Sequence, residues 1–97
     1  MEHLIADFAG RHELEECSEA FALTDDDNGN VLAVLKKGDN FMDRLKTAIR
    51  ENNAADDEDV PTFTNVRDSE KYAICEFDVT YPDASVYSYT LTPVLMY

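Results

Sequence analysis

Asn28-Gly29 stands between two apolar runs, Ala20–Thr24 and Val31–Lys36. Asn-Gly is the preferred central pair of a type I′ turn, because both positions need positive φ and these two residues reach it at least cost. The pair predicts a two-residue β-hairpin. In that register Asp27 faces Asn30, Leu23 faces Val34 and Phe21 faces Lys36. The run Val31-Leu32-Ala33-Val34-Leu35 has no polar alternation. It predicts a strand covered on both faces and central in its sheet.

Lys37-Gly38 breaks the second run, and Asp39 or Asn40 suits a helix N-cap. Beyond it, Phe41, Leu45, Ala48, Ile49 and Asn52 share one helical stripe, with Met42 at its edge. Asp43, Arg44, Lys46, Thr47, Arg50 and Glu51 fall opposite. This pattern predicts a helix over Phe41–Asn52, packed on a sheet. Upstream, Leu4, Ile5, Phe8 and Ala9 recur at helical spacing, and Gly10 is expected to end or interrupt that helix. The acidic stretch Glu13–Glu19 either continues as helix or opens a strand.

The last third reads as β. Pro61 suits a strand start. Thr62–Arg67 is a short strand and Asp68-Ser69-Glu70 a turn. In Tyr72–Tyr81, Ala73, Cys75, Phe77, Val79 and Tyr81 alternate with Tyr72, Ile74, Glu76, Asp78 and Thr80. The first set predicts the inward face. Pro82-Asp83-Ala84 turns the chain into Val86–Thr92, with Tyr87, Tyr89 and Leu91 on one face. The apolar tail Pro93–Tyr97 is expected to dock on the core. The order α-β-β-α-β-β-β predicts one α+β domain over residues 1–97, an antiparallel sheet of about five strands with two helices on one side.

The chain has 97 residues, 44% of them hydrophobic, which suffices for one modest core. It holds no run of the ~20 apolar residues a membrane span requires, and its N-terminus has no basic and apolar signal pattern. The expectation is a cytoplasmic protein with no membrane contact. Cys17 and Cys75 are then two reduced thiols.

Motifs for catalysis or metal binding fail on their spacing. With Gly29 at the sixth position of an EF-hand loop, Thr24 falls at the first and Leu35 at the twelfth, where ligands are required. His12 is followed four residues later by Glu16, so there is no HExxH site, and there is no CxxC. His3 and His12 read as surface residues. Cys75 is flanked by Ile74, Glu76 and Phe77. Apolar surroundings and a carboxylate raise a thiol's pKa and oppose nucleophilic use. Gly10, Gly29 and Gly38 are isolated and build no phosphate-cradling loop. Glu76 and Asp78 share a strand face and could serve as acid and base, but no substrate-binding surround accompanies them. The expectation is a protein that is not an enzyme and has no cofactor and no metal.

Charge is the informative property. Eight Lys+Arg against 21 Asp+Glu leave a net charge of −13. Lys36–Arg50 holds five bases (Lys36, Lys37, Arg44, Lys46, Arg50) and two acids (Asp39, Asp43), a local surplus of three positive charges. The remainder holds three bases (Arg11, Arg67, Lys71) and 19 acids. Such a chain repels polyanions, so direct nucleic-acid binding is disfavoured. It is attracted to basic surfaces, with faster encounter. Carboxylates two apart on a strand lie about 6.6 Å from each other, a spacing suited to standing in for phosphates. The candidate partner-binding residues are Asp25, Asp26, Asp27, Asp56, Asp57, Glu58, Asp59, Glu76, Asp78 and Asp83. Tyr72, Tyr81, Tyr87 and Tyr89 are candidate aromatic anchors.

In size, charge and mixed α+β pattern the chain resembles the loose class of small acidic inhibitors carried by phages and mobile elements. The resemblance is compositional and transfers no residue roles. It implies a nucleic-acid mimic that blocks a basic, nucleic-acid-binding protein of a restriction or CRISPR system. The alternative is a structural or assembly protein that self-associates, possible homodimer included, whose acidity serves solubility or salt adaptation. There the basic helix of one copy meets an acidic loop of another, or an edge strand pairs between copies.

Overall fold

The structure is a computed structural model that describes residues 2–15, 20–36, 40–54, 60–69, 71 and 74–94, with only the backbone for residues 2 and 11–15. Seven elements follow in chain order: α1 (Glu2–Glu15), β1 (Ala20–Asp25), β2 (Val31–Lys36), α2 (Phe41–Asn52), β3 (Thr62–Ser69), β4 (Ile74–Thr80) and β5 (Val86–Val94). The five strands form one antiparallel sheet in the order β2-β1-β5-β4-β3. This is the α+β order that the sequence predicts.

One core joins both helices to one face of the sheet. Ile5, Phe8 and Ala9 of α1 and Phe41, Leu45 and Ile49 of α2 are buried against Phe21, Leu23, Leu35, Phe63, Phe77, Val79, Tyr89 and Leu91. Phe21 meets Phe8 tilted at 5.7 Å and Phe41 edge-on at 5.6 Å, while Phe77 and Tyr89 stack at 5.9 Å. Such pairs add to the area they bury. The inward set of β4 is as the alternation predicts for Cys75, Phe77 and Val79, all fully buried. Helix α2 has the predicted bounds, with Asn40 at its N-cap and Asn53 at its C-cap.

Helix α1 runs through Gly10. One glycine costs a helix about 1 kcal/mol, and the burial of Ile5, Phe8 and Ala9 outweighs it. The stretch from Glu16 to Glu19, including Cys17, lies outside the described residues, as do Tyr72, Ala73 and the tail from Leu95. Strand β3 continues to Ser69, so Asp68 and Ser69 pair with Cys75 and Ile74 where a turn was expected. No helix among the described residues is long and apolar enough to cross a membrane.

Strand β2 departs most from expectation. It is an edge strand, and Val31 and Val34 are 60% and 57% exposed. An unbroken apolar run fits a doubly covered strand, but it fits equally a strand with one face on the core and a β-bulge. Here Leu23 pairs with Ala33 while Thr24 pairs with Val31, so Leu32 is the extra residue. The bulge turns both Leu32 and Ala33 toward the core. Strand β5, the true centre, carries Pro93 opposite Phe21. Among the described residues its pairing with β4 runs from Thr80–Val86 to Cys75–Leu91, two residues before the proline.

Gly10 and Ala54 carry each other's preferred side chain. An added Cβ at Gly10 meets nothing within 4 Å. Ala54, just past α2, sits at φ 52°, the left-handed position that favours glycine. Gly10→Ala and Ala54→Gly should each stabilise the fold by about 0.5–1 kcal/mol. Urea denaturation followed by circular dichroism measures both, and a loss at either position would contradict the backbone described.

Candidate functional site

The acidic turn between β1 and β2 is wider than a type I′ hairpin. Gly29 has φ 72°, but Asn28 is not at positive φ. The Gly29 N–H donates to the Asp25 carbonyl at 2.8 Å and the Asp25 N–H to the Asn30 carbonyl at 3.0 Å. Two side chains fold back on the loop: the Asp27 N–H donates to Asp25 Oδ1 and the Asn30 N–H to Asn28 Oδ1, both at 2.9 Å. These bonds compete with the two-residue turn. The four-residue loop and the Leu32 bulge shift the register, so Phe21 faces Leu35 and Leu23 faces Ala33, not Lys36 and Val34.

Asp25 is buried, 9% exposed. Its Oδ2 accepts from Asn52 Nδ2 at 3.0 Å. The other hydrogen of that amide points at the Tyr89 hydroxyl, 3.3 Å away. The Tyr89 hydroxyl donates to Asn53 Oδ1 at 2.9 Å, and Asn53 Nδ2 donates to the Tyr81 hydroxyl at 2.8 Å. The chain Asp25–Asn52–Tyr89–Asn53–Tyr81 therefore bolts the acidic turn and the C-terminus of α2 to the sheet. Burial pushes the Tyr89 hydroxyl above its usual 10.0, opposed by its hydrogen bonds with Asn52 and Asn53 and reinforced by Asp25 and Tyr81. Asp25 is thus a structural carboxylate. Tyr89 and Tyr81, 0% and 7% exposed, are core residues and offer no anchor to a partner.

The sheet face away from the helices carries the second acidic group. Asp78 Oδ1 accepts from the Ser88 hydroxyl at 2.8 Å and Oδ2 from Asn65 Nδ2 at 3.0 Å. Arg67 lies 3.5 Å from Glu76 and 3.9 Å from Asp78. Partial burial raises the Asp78 pKa, but the bonds from Asn65 and Ser88 and the charge of Arg67 outweigh it, leaving it below its usual 3.8. Asp26 joins the same face, accepting from the Thr90 hydroxyl at 2.6 Å. Thr90 is the cross-strand neighbour of Glu76, and Ser88 of Asp78. Asp26, Glu76 and Asp78 are thereby set among hydroxyls on adjacent strands, about 4.8 Å apart strand to strand.

A bulge in β3 brings Arg67 there. Strict alternation from the buried Phe63 would point Arg67 inward. Register slips between Thr64 and Arg67, with Asn65 at φ 51°. Val66 consequently packs on the core and Arg67 faces the carboxylates. Asparagine tolerates this left-handed conformation better than most residues. Sequence reasoning missed Arg67, Asn65 and Ser88 because period-2 alternation carries no sign of an extra residue.

Asp83 occupies the β4–β5 turn, exposed, and its carboxylate accepts from the Ser85 N–H at 2.9 Å. The Ser85 side chain first, and then the Ser85 N–H, hold it below its usual 3.8. The turn closes with the Ala84 N–H on the Tyr81 carbonyl and the Tyr81 N–H on the Ser85 carbonyl. Since β1 and β5 are antiparallel with Asp25 opposite Tyr89, the β1–β2 and β4–β5 turns leave the same end of the sheet. Asp26, Asp27 and Asp83 therefore share that end. Asp56, Asp57, Glu58 and Asp59 lie outside the described residues.

Among the described residues no group of three or more His, Cys, Asp or Glu is arranged to hold a metal ion. A shallow groove of about 500 Å³ lies on the outer face of α2, lined by Asn40, Asp43, Arg44, Thr47, Ala48 and Glu51. Compared with known protein families, curated proteins and solved structures, the chain has no match.

Asn65→Val should cost about 1–3 kcal/mol, since a β-branched residue strains at positive φ. Asn65→Gly, which keeps the backbone, should cost less; chemical denaturation ranks the two. Asp78 has a lowered folded pKa, so its contribution to stability is present above about 3.8 and is lost as pH falls through the folded value. The stability gap between the wild type and Asp78→Asn should narrow below that pH. A gap constant from pH 6 to pH 2.5 would rule out the bonded carboxylate.

Proposed function

We propose that this protein is a non-enzymatic inhibitor that occupies a basic, nucleic-acid-binding surface of a partner protein. The observation that carries this reading is the shared position of Asp26, Asp27 and Asp83 at one end of the sheet, beside the open face with Glu76 and Asp78. Asp26 and Asp83 each have an oxygen fixed by a hydrogen bond, to Thr90 and to the Ser85 N–H. Fixed anions lose little freedom on binding, which favours affinity.

The roles divide by exposure. Asp26, Asp27 and Asp83 are exposed and stand in for phosphates. Glu76 and Asp78 are half-buried, with Arg67 offsetting one of their two charges, and contribute a smaller field. Asp25 supports the turn from beneath. Asp56, Asp57, Glu58 and Asp59 add four acids to the chain between α2 and β3, whose neighbours Asn53 and Thr62 bond to Tyr81 and pair with Thr80.

The immobilised protein, exposed to host lysate, should retain nucleic-acid-binding proteins that added duplex DNA or RNA displaces and that moderate salt elutes. The triple variant Asp26→Asn, Asp27→Asn, Asp83→Asn keeps an acceptor at each position. It should slow association with a captured partner by about tenfold or more and change dissociation less. Capture indifferent to nucleic acid, or an association rate unmoved by the triple variant, would refute the reading.

A further inference from the structure

We propose that β2 is the site at which two copies of this chain pair, edge to edge and antiparallel, joining two five-stranded sheets across a two-fold axis. The inference stands on the edge strand β2 and not on the observation that carries the inhibitory reading, although it brings Lys36 of each copy toward the turn that holds Asp26 and Asp27 of the other.

The sheet has two edges, and they are treated differently. At β3 the ladder is interrupted between Thr64 and Arg67, Asn65 is at φ 51°, and Arg67 and Asp68 bring charge to the strand. Bulges and charges are the devices that keep an edge from pairing. At β2 the sequence is VLAVLK, and its one charge is the terminal Lys36. Its bulge falls at Leu32, near the start, and Ala33–Lys36 keeps regular pairing with β1. Val31 and Val34, 60% and 57% exposed, stand beside this open ladder.

The charge distribution selects the occupant. Two copies with a net charge of −13 each repel across most of their surface. The segment Val31–Arg50 is the exception, with five bases and two acids. Strand β2 also has polarity: it starts next to the acidic turn Asp25–Asn30 and ends at Lys36. Antiparallel pairing with itself brings the Lys36 end of each copy beside the acidic turn of the other. The two-fold axis makes this contact twice. A parallel arrangement would set acid beside acid.

Residues opposite one another in an antiparallel pair share a face. Centred on Val34, the pairing sets Val34 against its own copy on the open face and Leu35 against Ala33 on the core face. Two strands intervene between β2 and β4, so Glu76 and Asp78 stay uncovered. A single strand pair makes a small interface, so the dimer belongs to the weak class.

Sedimentation velocity over roughly 10–500 μM, the range that suits a small interface, should show monomer passing to dimer. Over the same range, amide exchange at Ala33–Leu35 should slow. Val34→Lys should abolish the dimer and leave the circular dichroism spectrum intact. The matched control is Val86→Lys: Val86 is equally exposed at 57% but lies at the start of β5. It makes the same charge change and should keep the dimer. Both substitutions lower the overall net negative charge alike, so loss of the dimer in Val34→Lys alone reports the two lysines brought face to face at the paired edge. A monomer throughout, a dimer that survives Val34→Lys, or equal loss in both variants would overturn the proposal.

Discussion

The pairing of β1 with β5 holds the molecule together. It is the one contact in the sheet between strands distant in sequence, from Ala20–Val94 to Asp25–Tyr89. Without it the chain would offer two separate ribbons, β1-β2 and β3-β4-β5, each with one uncovered apolar face. With it, Phe21 and Leu23 lie beside Leu91 and Tyr89, and the joined surface is wide enough for both helices. Closing so long a loop costs entropy before its contacts form. The buried rings that α1 and α2 lay across the junction, Phe8 and Phe41 against Phe21, offset that cost.

The same pairing organises the charge. A net charge of −13 opposes compaction, since every acid brought closer to another raises the energy. The fold leaves most acids with described side chains exposed, in turns, along the helices and on strands, where water screens them. Asp25 is the exception, and it is buried only with its carboxylate bonded to Asn52 and to the Asp27 N–H. That bonding ties the stability of the core to the position of the acidic turn. A polar chain through Tyr89 and Tyr81 reaches from the turn to the end of α2, so the end of the sheet proposed to meet a partner is rigid by construction.

The two β-bulges decide which side chains reach each surface. In β2 the extra residue keeps Leu32 and Ala33 on the core and exposes Val31 and Val34 at the edge. In β3 the extra residue puts Val66 inside and Arg67 beside Glu76 and Asp78. Each bulge leaves the sheet intact and changes its chemistry. The proposed partner surface and the proposed self-pairing edge both depend on irregularities in an otherwise regular sheet.

Much of this was legible in the chain itself. The stripe Phe41–Leu45–Ile49 located α2, the alternation Cys75–Phe77–Val79 oriented β4, and the turn residues separated five strands in the right order. These signals are local, set by the helical and strand periods and by the conformations that Asn, Gly and Pro favour. The place of β2 in the sheet, the loop around Asp25, the Arg67 contact and the path of α1 through Gly10 were decided by tertiary structure. An apolar run shows that a strand has something to bury, not which neighbour covers it. A buried carboxylate is written in sequence like an exposed one. The difference lies in whether Asn52, twenty-seven residues away, arrives to bond it.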